Sequence, residues 1–214
     1  MIHANFDHAH KILCLGAHSD DIEIGCGGTI LKLLNANPDI SIHWVVFSAI
    51  GERKDEALTA ANSFLKNAGA NKIELHNFPD TRFPYSEANE IKECFSKLAS
   101  NVNPDLVFTH RKDDAHQDHR LIADLTWQHF RNHLIFEYEI PKYEGDLGQP
   151  NLFVSIDETW VKEKIDILMN AFISQQDKYW FTPDNFEALM RIRGLECHSE
   201  SGFAEAFYCS KMRL

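Results

Sequence analysis

The chain has no apolar run long enough to cross a bilayer. Its first residues, MIHANFDHAHK, lack the charged-then-apolar layout of a secretory signal, so a cytoplasmic protein with no membrane span is expected. Its five cysteines, Cys14, Cys26, Cys94, Cys197 and Cys209, are scattered and form no Cys-x-x-Cys pair. That excludes a zinc ribbon and a disulfide framework, and leaves most of the thiols as small buried hydrophobes. No Gly-x-Gly-x-x-Gly follows the first apolar run, and Gly25-x-Gly27-Gly28 lies too far beyond it for a dinucleotide-binding turn. Cations are also scarce, with 21 Lys and Arg against 32 Asp and Glu for a net charge of −11. A nucleic-acid partner, which needs a basic face, is therefore not expected.

What remains is an ordinary globular composition, with 44% apolar and 25% charged residues in 214. One domain over residues 1–214 with a substantial core follows. Residues 11–17, 40–48, 72–78, 105–110 and 133–139 read as strands rich in β-branched and aromatic side chains. Several are nearly continuous apolar runs, as in parallel strands covered on both faces. Helical spacing appears over 53–68, with Gly69 as a stop, over 87–101 with Ser86 as N-cap, and over 118–131. A further helix, capped by Asp157, carries Val161, Ile165, Leu168, Met169 and Phe172. The alternation predicts an α/β fold, a three-layer Rossmann-like sheet, mostly parallel and flanked by helices. The loop from Pro141 to Pro150 leads into a less regular C-terminal elaboration.

Two stretches carry the chemistry. Gly16-Ala-His18-Ser-Asp20-Asp21-Ile-Glu23-Ile-Gly25 begins where the first predicted strand ends, which is where open α/β sheets bind ligands. A histidine and two adjacent aspartates there offer nitrogen and oxygen donors to a metal and leave a spare base. A plain strand-to-helix turn with an aspartate cap is the competing account. His110-Arg-Lys-Asp113-Asp114-Ala-His116-Gln-Asp118-His119 follows the fourth predicted strand and opens a helix, so its side chains reach the same end of the sheet. Two His/Asp clusters at equivalent topological positions favour a metal centre over two unrelated turns.

These motifs resemble those of the LmbE-like, or PIG-L-like, zinc de-N-acetylase family. Ala17-His18-Ser19-Asp20-Asp21-Ile22 resembles the family's Ala-His-Pro-Asp-Asp-Glu, and His116-Gln117-Asp118-His119 resembles its His-x-Asp-His. The resemblance implies Zn2+ held by His18, Asp21 and His119, with Asp20 as general base. It implies a protonated His116 at the carbonyl oxygen, and Asp118 completing the catalytic set by orienting a histidine. Arg53, Asp80 and Asp114 fall where the family meets its substrate or shapes the adjoining loop. Glu139-Ile-Pro141 and the segment from Gly202 to Phe207 are further landmarks, while Ser19 and Ile22 depart from the pattern without removing a ligand or the base. The implied activity is hydrolysis of the acetamide of an N-acetylglucosamine-type sugar, the implied partner a small amino sugar. Relatives that assemble point to a homo-oligomer.

Other readings stay open at this point. A zinc hydrolase of another amide or an ester keeps the same residues, and an inactive carbohydrate-binding module keeps the scaffold. Tyr138, Tyr143 and Arg193 are candidates for a pocket or the core, Trp160 and Trp180 for packing or an oligomer contact. His3, His8 and His10 belong to an N-terminal segment read as flexible.

Overall fold

A computed structural model describes residues 9–213; His3 and His8 lie outside the described residues. The elements are β1 (Lys11–His18), α1 (Asp21–Ala36), β2 (Ser41–Ser48), α2 (Glu52–Phe64), β3 (Ala70–Leu75), α3 (Ala88–Asn101), β4 (Leu106–His110), α4 (Gln117–His129), β5 (Leu134–Tyr138), β6 (Leu152–Ser155), α5 (Glu158–Ala171), α6 (Pro183–Cys197) and β7 (Ala204–Tyr208). They form one seven-stranded sheet in the order β3-β2-β1-β4-β5-β7-β6. Only β7 runs against its neighbours, pairing antiparallel with β5 and β6. The fold is thus the mostly parallel α/β sheet that the alternating pattern predicts.

Strand geometry sends successive side chains to opposite faces, and the core divides accordingly. Ile12, Cys14, Trp44, Val46 and Phe108 pack on one face with the apolar residues of α1 and with Phe64 of α2 and Leu168 of α5. Leu13, Leu15, Val45, Phe47 and Val107 pack on the other with Ile91, Phe95 and Leu98 of α3 and Ile122 and Leu125 of α4. This explains why the strands read as unbroken apolar runs: both faces are covered. Helix α1 is buried along most of its length because α2, α5 and β7 close over it.

The chain turns one way from β1 through β2 to β3 and the other way from β1 to β4 and β5. The switch lies between β1 and β4, and their carboxyl ends open the crevice in which such sheets bind ligands. His18 ends β1 and His110 ends β4.

Several boundaries differ from the sequence reading. Ser86 does not cap α3; it lies in a π-helical turn over Phe83–Glu87, where its hydroxyl donates to Glu87. Asp157 does occupy the N-cap of α5, but its side chain makes no capping bond. Helix α2 ends at Phe64, before Gly69. Gly69 answers a packing need: a Cβ there would lie 2.7 Å from the Pro38 carbonyl oxygen. Among the described residues no helix is long and apolar enough to cross a membrane, and all five cysteines are free thiols.

Candidate metal centre and active site

The strand ends deliver the side chains. His18 closes β1, and the turn into α1 puts Asp20 at the N-cap and Asp21 at the first helical position. Asp20 does not cap the helix; its carboxylate reaches the Arg53 guanidinium at 3.0 Å. Gly51, with φ of +60°, makes the sharp turn from β2 that sets Arg53 at the start of α2. From β4, the chain passes through Asp114 to His116 at the N-cap of α4, with Asp118 and His119 in its first turn.

Donor atoms of three residues converge. His18 Nδ1 lies 3.2 Å from His119 Nε2 and 3.4 Å from an Asp21 oxygen, and the second Asp21 oxygen lies 3.5 Å from His119 Nε2. Bonds of about 2.0–2.1 Å at tetrahedral angles place neighbouring donors about 3.3–3.4 Å apart. The two imidazole nitrogens, with one Asp21 oxygen facing each of them, are therefore spaced as ligands of one zinc-sized ion would be. The opposite nitrogen of each imidazole meets a buried carboxylate: His18 Nε2 is 3.2 Å from Asp118, and His119 Nδ1 is 3.0 Å from Asp114. Carboxylates behind histidines are the usual means of fixing the tautomer and orientation of metal-ligating imidazoles. The residues present fit a zinc ion.

Other combinations come within ligand distance, including Asp21–His110–His119 and His18–His116–His119. His110 is fully buried and its Nε2 takes the Ala17 backbone N–H at 2.9 Å, so it packs behind Asp21 as a support. It stacks on His119 with ring centroids 3.9 Å apart. It ends β4 as His18 ends β1, and the sequence reading included it in the second His/Asp stretch without giving it a role.

Asp118 is fully buried and accepts backbone N–H groups from Thr81 at 2.7 Å and Phe83 at 3.2 Å. Those bonds hold Thr81 at φ of +66°, a backbone cost for a β-branched residue. Asp114, expected at the substrate or in shaping the adjoining loop, lies behind His119. It is buried and engaged by His119, by the His116 backbone N–H at 2.8 Å and by the Lys142 ammonium at 3.0 Å, so it faces a ligand and the loop. Asp80 is 62% exposed, with one oxygen 2.9 Å from His18 Nε2; that hydrogen bond, against partial burial, brings its carboxyl down to about 2.

The charges are graded by environment. Burial raises the Asp20 carboxyl above its ordinary range, although Arg53 pulls the other way. Burial opposes ionisation of Asp21 too, but the surrounding imidazoles of His119, His110 and His18 hold it well below that range. Burial, reinforced by His110, pushes His119 down to about 3, whereas at His18 burial is outweighed by the Asp21, Asp118 and Asp80 carboxylates, which hold it well above its ordinary value. Burial and then His18 lower His116 as well. His116 Nδ1 accepts the Asp118 backbone N–H at 3.3 Å, so its proton sits on Nε2.

These groups line a cleft of about 420 Å3. His18, Asp20, Asp21, Arg53, Asp80, His116 and His119 all face it, and Lys142, Tyr143, Gln175, Lys178 and Trp180 complete the wall. Trp180, read from sequence as packing or an oligomer contact, belongs to this wall. Tyr138 and Arg193 do not: Tyr138 is buried and donates to the Leu15 carbonyl at 2.7 Å, and Arg193 pairs with Glu139 at 2.9 Å. Tyr143, a pocket candidate from the sequence, does line the cleft, while Gln175 and Lys178 follow no periodic pattern and went unread.

The profile of the PIG-L family, described as GlcNAc-PI de-N-acetylase, matches residues 13–130, more than half of the chain and both His/Asp motifs. The chain belongs to the PIG-L family. This PIG-L protein is 30% identical over 170 residues to the uncharacterized deacetylase YaiS of Escherichia coli, covering 73% of this chain and 88% of that protein. It is 28% identical over 131 residues to the diacetylchitobiose deacetylase of Thermococcus kodakarensis, covering 56% of this chain and 48% of that protein. Its fold superposes on the N,N'-diacetylchitobiose deacetylase of Pyrococcus horikoshii with a TM-score of 0.75 at 23% identity, over 95% of this chain and 85% of that one. The protein is a de-N-acetylase, a hydrolase of the carbon–nitrogen bond of an acetamide.

Proposed function

We propose that this PIG-L protein is a zinc-dependent hydrolase that removes the acetyl group from an N-acetylglucosamine-type sugar, free or carried on a nucleotide, lipid or other glycoside. The observation that carries the reading is the convergence of His18, Asp21 and His119, their donor atoms 3.2–3.5 Å from one another, with the Asp20 carboxylate beside them in the same cleft. His18, Asp21 and His119 would hold the zinc, which when bound supplies Lewis acidity toward an amide carbonyl and toward water.

The chain's own groups do the rest. Asp20, its carboxyl raised by burial, takes a proton from water as the water oxygen attacks the acetamide carbon. His116 gives a hydrogen bond from Nε2–H to the carbonyl oxygen as negative charge grows there. The carbon–nitrogen bond then breaks, and the amine leaves with the proton that Asp20 had taken. The second water proton, left on the new acid hydroxyl, passes to the amine as well, so the products are acetate and the ammonium form of the amino sugar.

Arg53 holds Asp20 in line, and Asp118 and Asp114 keep His18 and His119 turned toward the metal. Asp80 is the sugar-facing carboxylate. His18 Nε2 cannot serve Asp80 and Asp118 fully with one proton. The buried Asp118, fixed by two backbone donors, keeps that bond while the exposed Asp80 turns to a sugar hydroxyl. The sugar carriers of related deacetylases, such as diacetylchitobiose, belong in the first assay panel.

The test is acetate release by zinc-loaded protein from N-acetylglucosamine derivatives, run beside matched O-acetyl esters. Release from the acetamides, with the esters slower, fits the proposal. Release from the esters alone would transfer the reading to an esterase.

A further inference from the structure

Glu56, on the second turn of α2, has no part in the chemistry just described, yet three hydrogen bonds end on its carboxylate. Arg53 Nη1 donates to Oε2 at 3.0 Å, the Ser174 hydroxyl donates to the same oxygen at 2.8 Å, and the Ser174 backbone N–H donates to Oε1 at 2.7 Å. The other arm of the guanidinium, Nη2, holds Asp20 at 3.0 Å. Phe172 lies under the guanidinium, 5.2 Å from ring centroid to Cζ. Gln175 joins the chain by donating from Nε2 to the Ser174 hydroxyl at 2.8 Å.

The consequence is geometric. Arg53 is a long side chain with a planar fork, and its aim depends on what holds the fork. A lone arginine beside Asp20 would sample many rotamers. With Glu56 on one arm and Phe172 beneath, the second arm has one direction left, toward Asp20. Ser174 belongs to the short 3-10 turn Ile173–Gln175, where the cleft wall containing Gln175, Lys178 and Trp180 begins. One carboxylate therefore ties the wall that meets the sugar to the cation that aims the base.

Resting on the assignment of Asp20 as the base, we propose that Glu56 is a positioning residue that sets the Arg53–Asp20 pair and fixes the 173–180 wall to it. It touches neither substrate nor metal, and it acts only through Arg53 and Ser174.

The experiment is a double-mutant cycle on the zinc-loaded enzyme, with Glu56→Ala, Arg53→Ala and the double variant, and with hydrogen exchange of the 172–182 segment measured on the same proteins. Glu56→Ala should lower kcat/KM by about tenfold through kcat, within the usual range of coupling between contacting groups. In the Arg53→Ala background the same change should cost less than about twofold, because the route through Arg53 is already gone. Bound metal should stay unchanged, and the Ser174 and Gln175 amides should exchange faster without Glu56. Glu56→Gln, which keeps one acceptor oxygen, should recover part of the loss. Additive losses in the cycle, or no loss from Glu56→Ala, would overturn the positioning role. If the wild-type enzyme releases no acetate from any substrate, the proposed function fails; exchange then reads the tie alone, and unchanged exchange at 174–175 in Glu56→Ala would overturn that too.

Discussion

Helix α1, whose N-terminus presents Asp20 and Asp21, is pinned at its middle by a buried ion pair. Glu205 of β7 takes the backbone N–H groups of Gly28 at 2.8 Å and Thr29 at 2.7 Å and the Lys164 ammonium at 2.6 Å. Lys164 in turn donates to the Ile24 carbonyl at 2.6 Å, and both side chains are almost wholly excluded from water. Glu205→Ala strands the Lys164 charge among apolar neighbours with one carbonyl left to bind. Breaking a buried pair from one side costs about 3–5 kcal/mol. In a chain of this size each kcal/mol moves Tm by about 2–4 °C, so a fall of roughly 6–20 °C is expected. The double variant Glu205→Ala with Lys164→Met removes the stranded charge and should recover about 1–3 kcal/mol of that loss. Urea and thermal unfolding of the purified variants, with metal content measured in parallel, make the comparison. A loss below about 1 kcal/mol for Glu205→Ala, or a double variant as unstable as the sum of its parts, would refute the reasoning.

Asp114→Asn keeps the shape but weakens the carboxylate behind His119, so zinc affinity should fall about 10–100-fold, read by competition with a chelator; unchanged affinity would remove Asp114 from the support of the site. His116→Ala should retain metal while kcat drops about 10²–10³-fold, since one donor to the developing oxyanion is lost. Glu23 is fully buried with neither carboxylate oxygen paired, and burial lifts its carboxyl well above the ordinary range. A carboxyl raised in the folded state gives stability that is complete below its unfolded pKa and is lost as pH rises toward the folded one. Glu23→Gln should therefore gain on the wild type by up to about 1.4 kcal/mol per pH unit above pH ~4.5, and a Tm difference independent of pH would contradict this.

The parallel core strands were legible because two-sided burial writes them as continuous apolar runs, as in Leu13, Cys14 and Leu15. Strands β6 and β7 and helix α6 were not. Strand β6 is half-exposed at the sheet edge, and β7 has Glu205 at a buried position because that carboxylate serves α1. At the site, the residue types at two strand ends were enough to single out His18, Asp20, Asp21, His116 and His119 as a group, and the fold brings them to one cleft. What the sequence left unread was which carboxylate stands behind which histidine, and the use of Arg53 as a brace for Asp20. Those depend on contacts such as Asp118 to the Thr81 backbone, 37 residues apart, which no local spacing encodes.

The account rests on a division of labour between adjacent aspartates, Asp21 on the metal and Asp20 on the proton, and Asp20→Asn tests it most directly when metal content and acetate release are measured on one sample. The account predicts one zinc retained, because no ligand is lost, with release from N-acetylglucosamine derivatives reduced about 10²–10⁴-fold for want of the base. Loss of the metal from that variant, or release close to the wild-type rate, would contradict it.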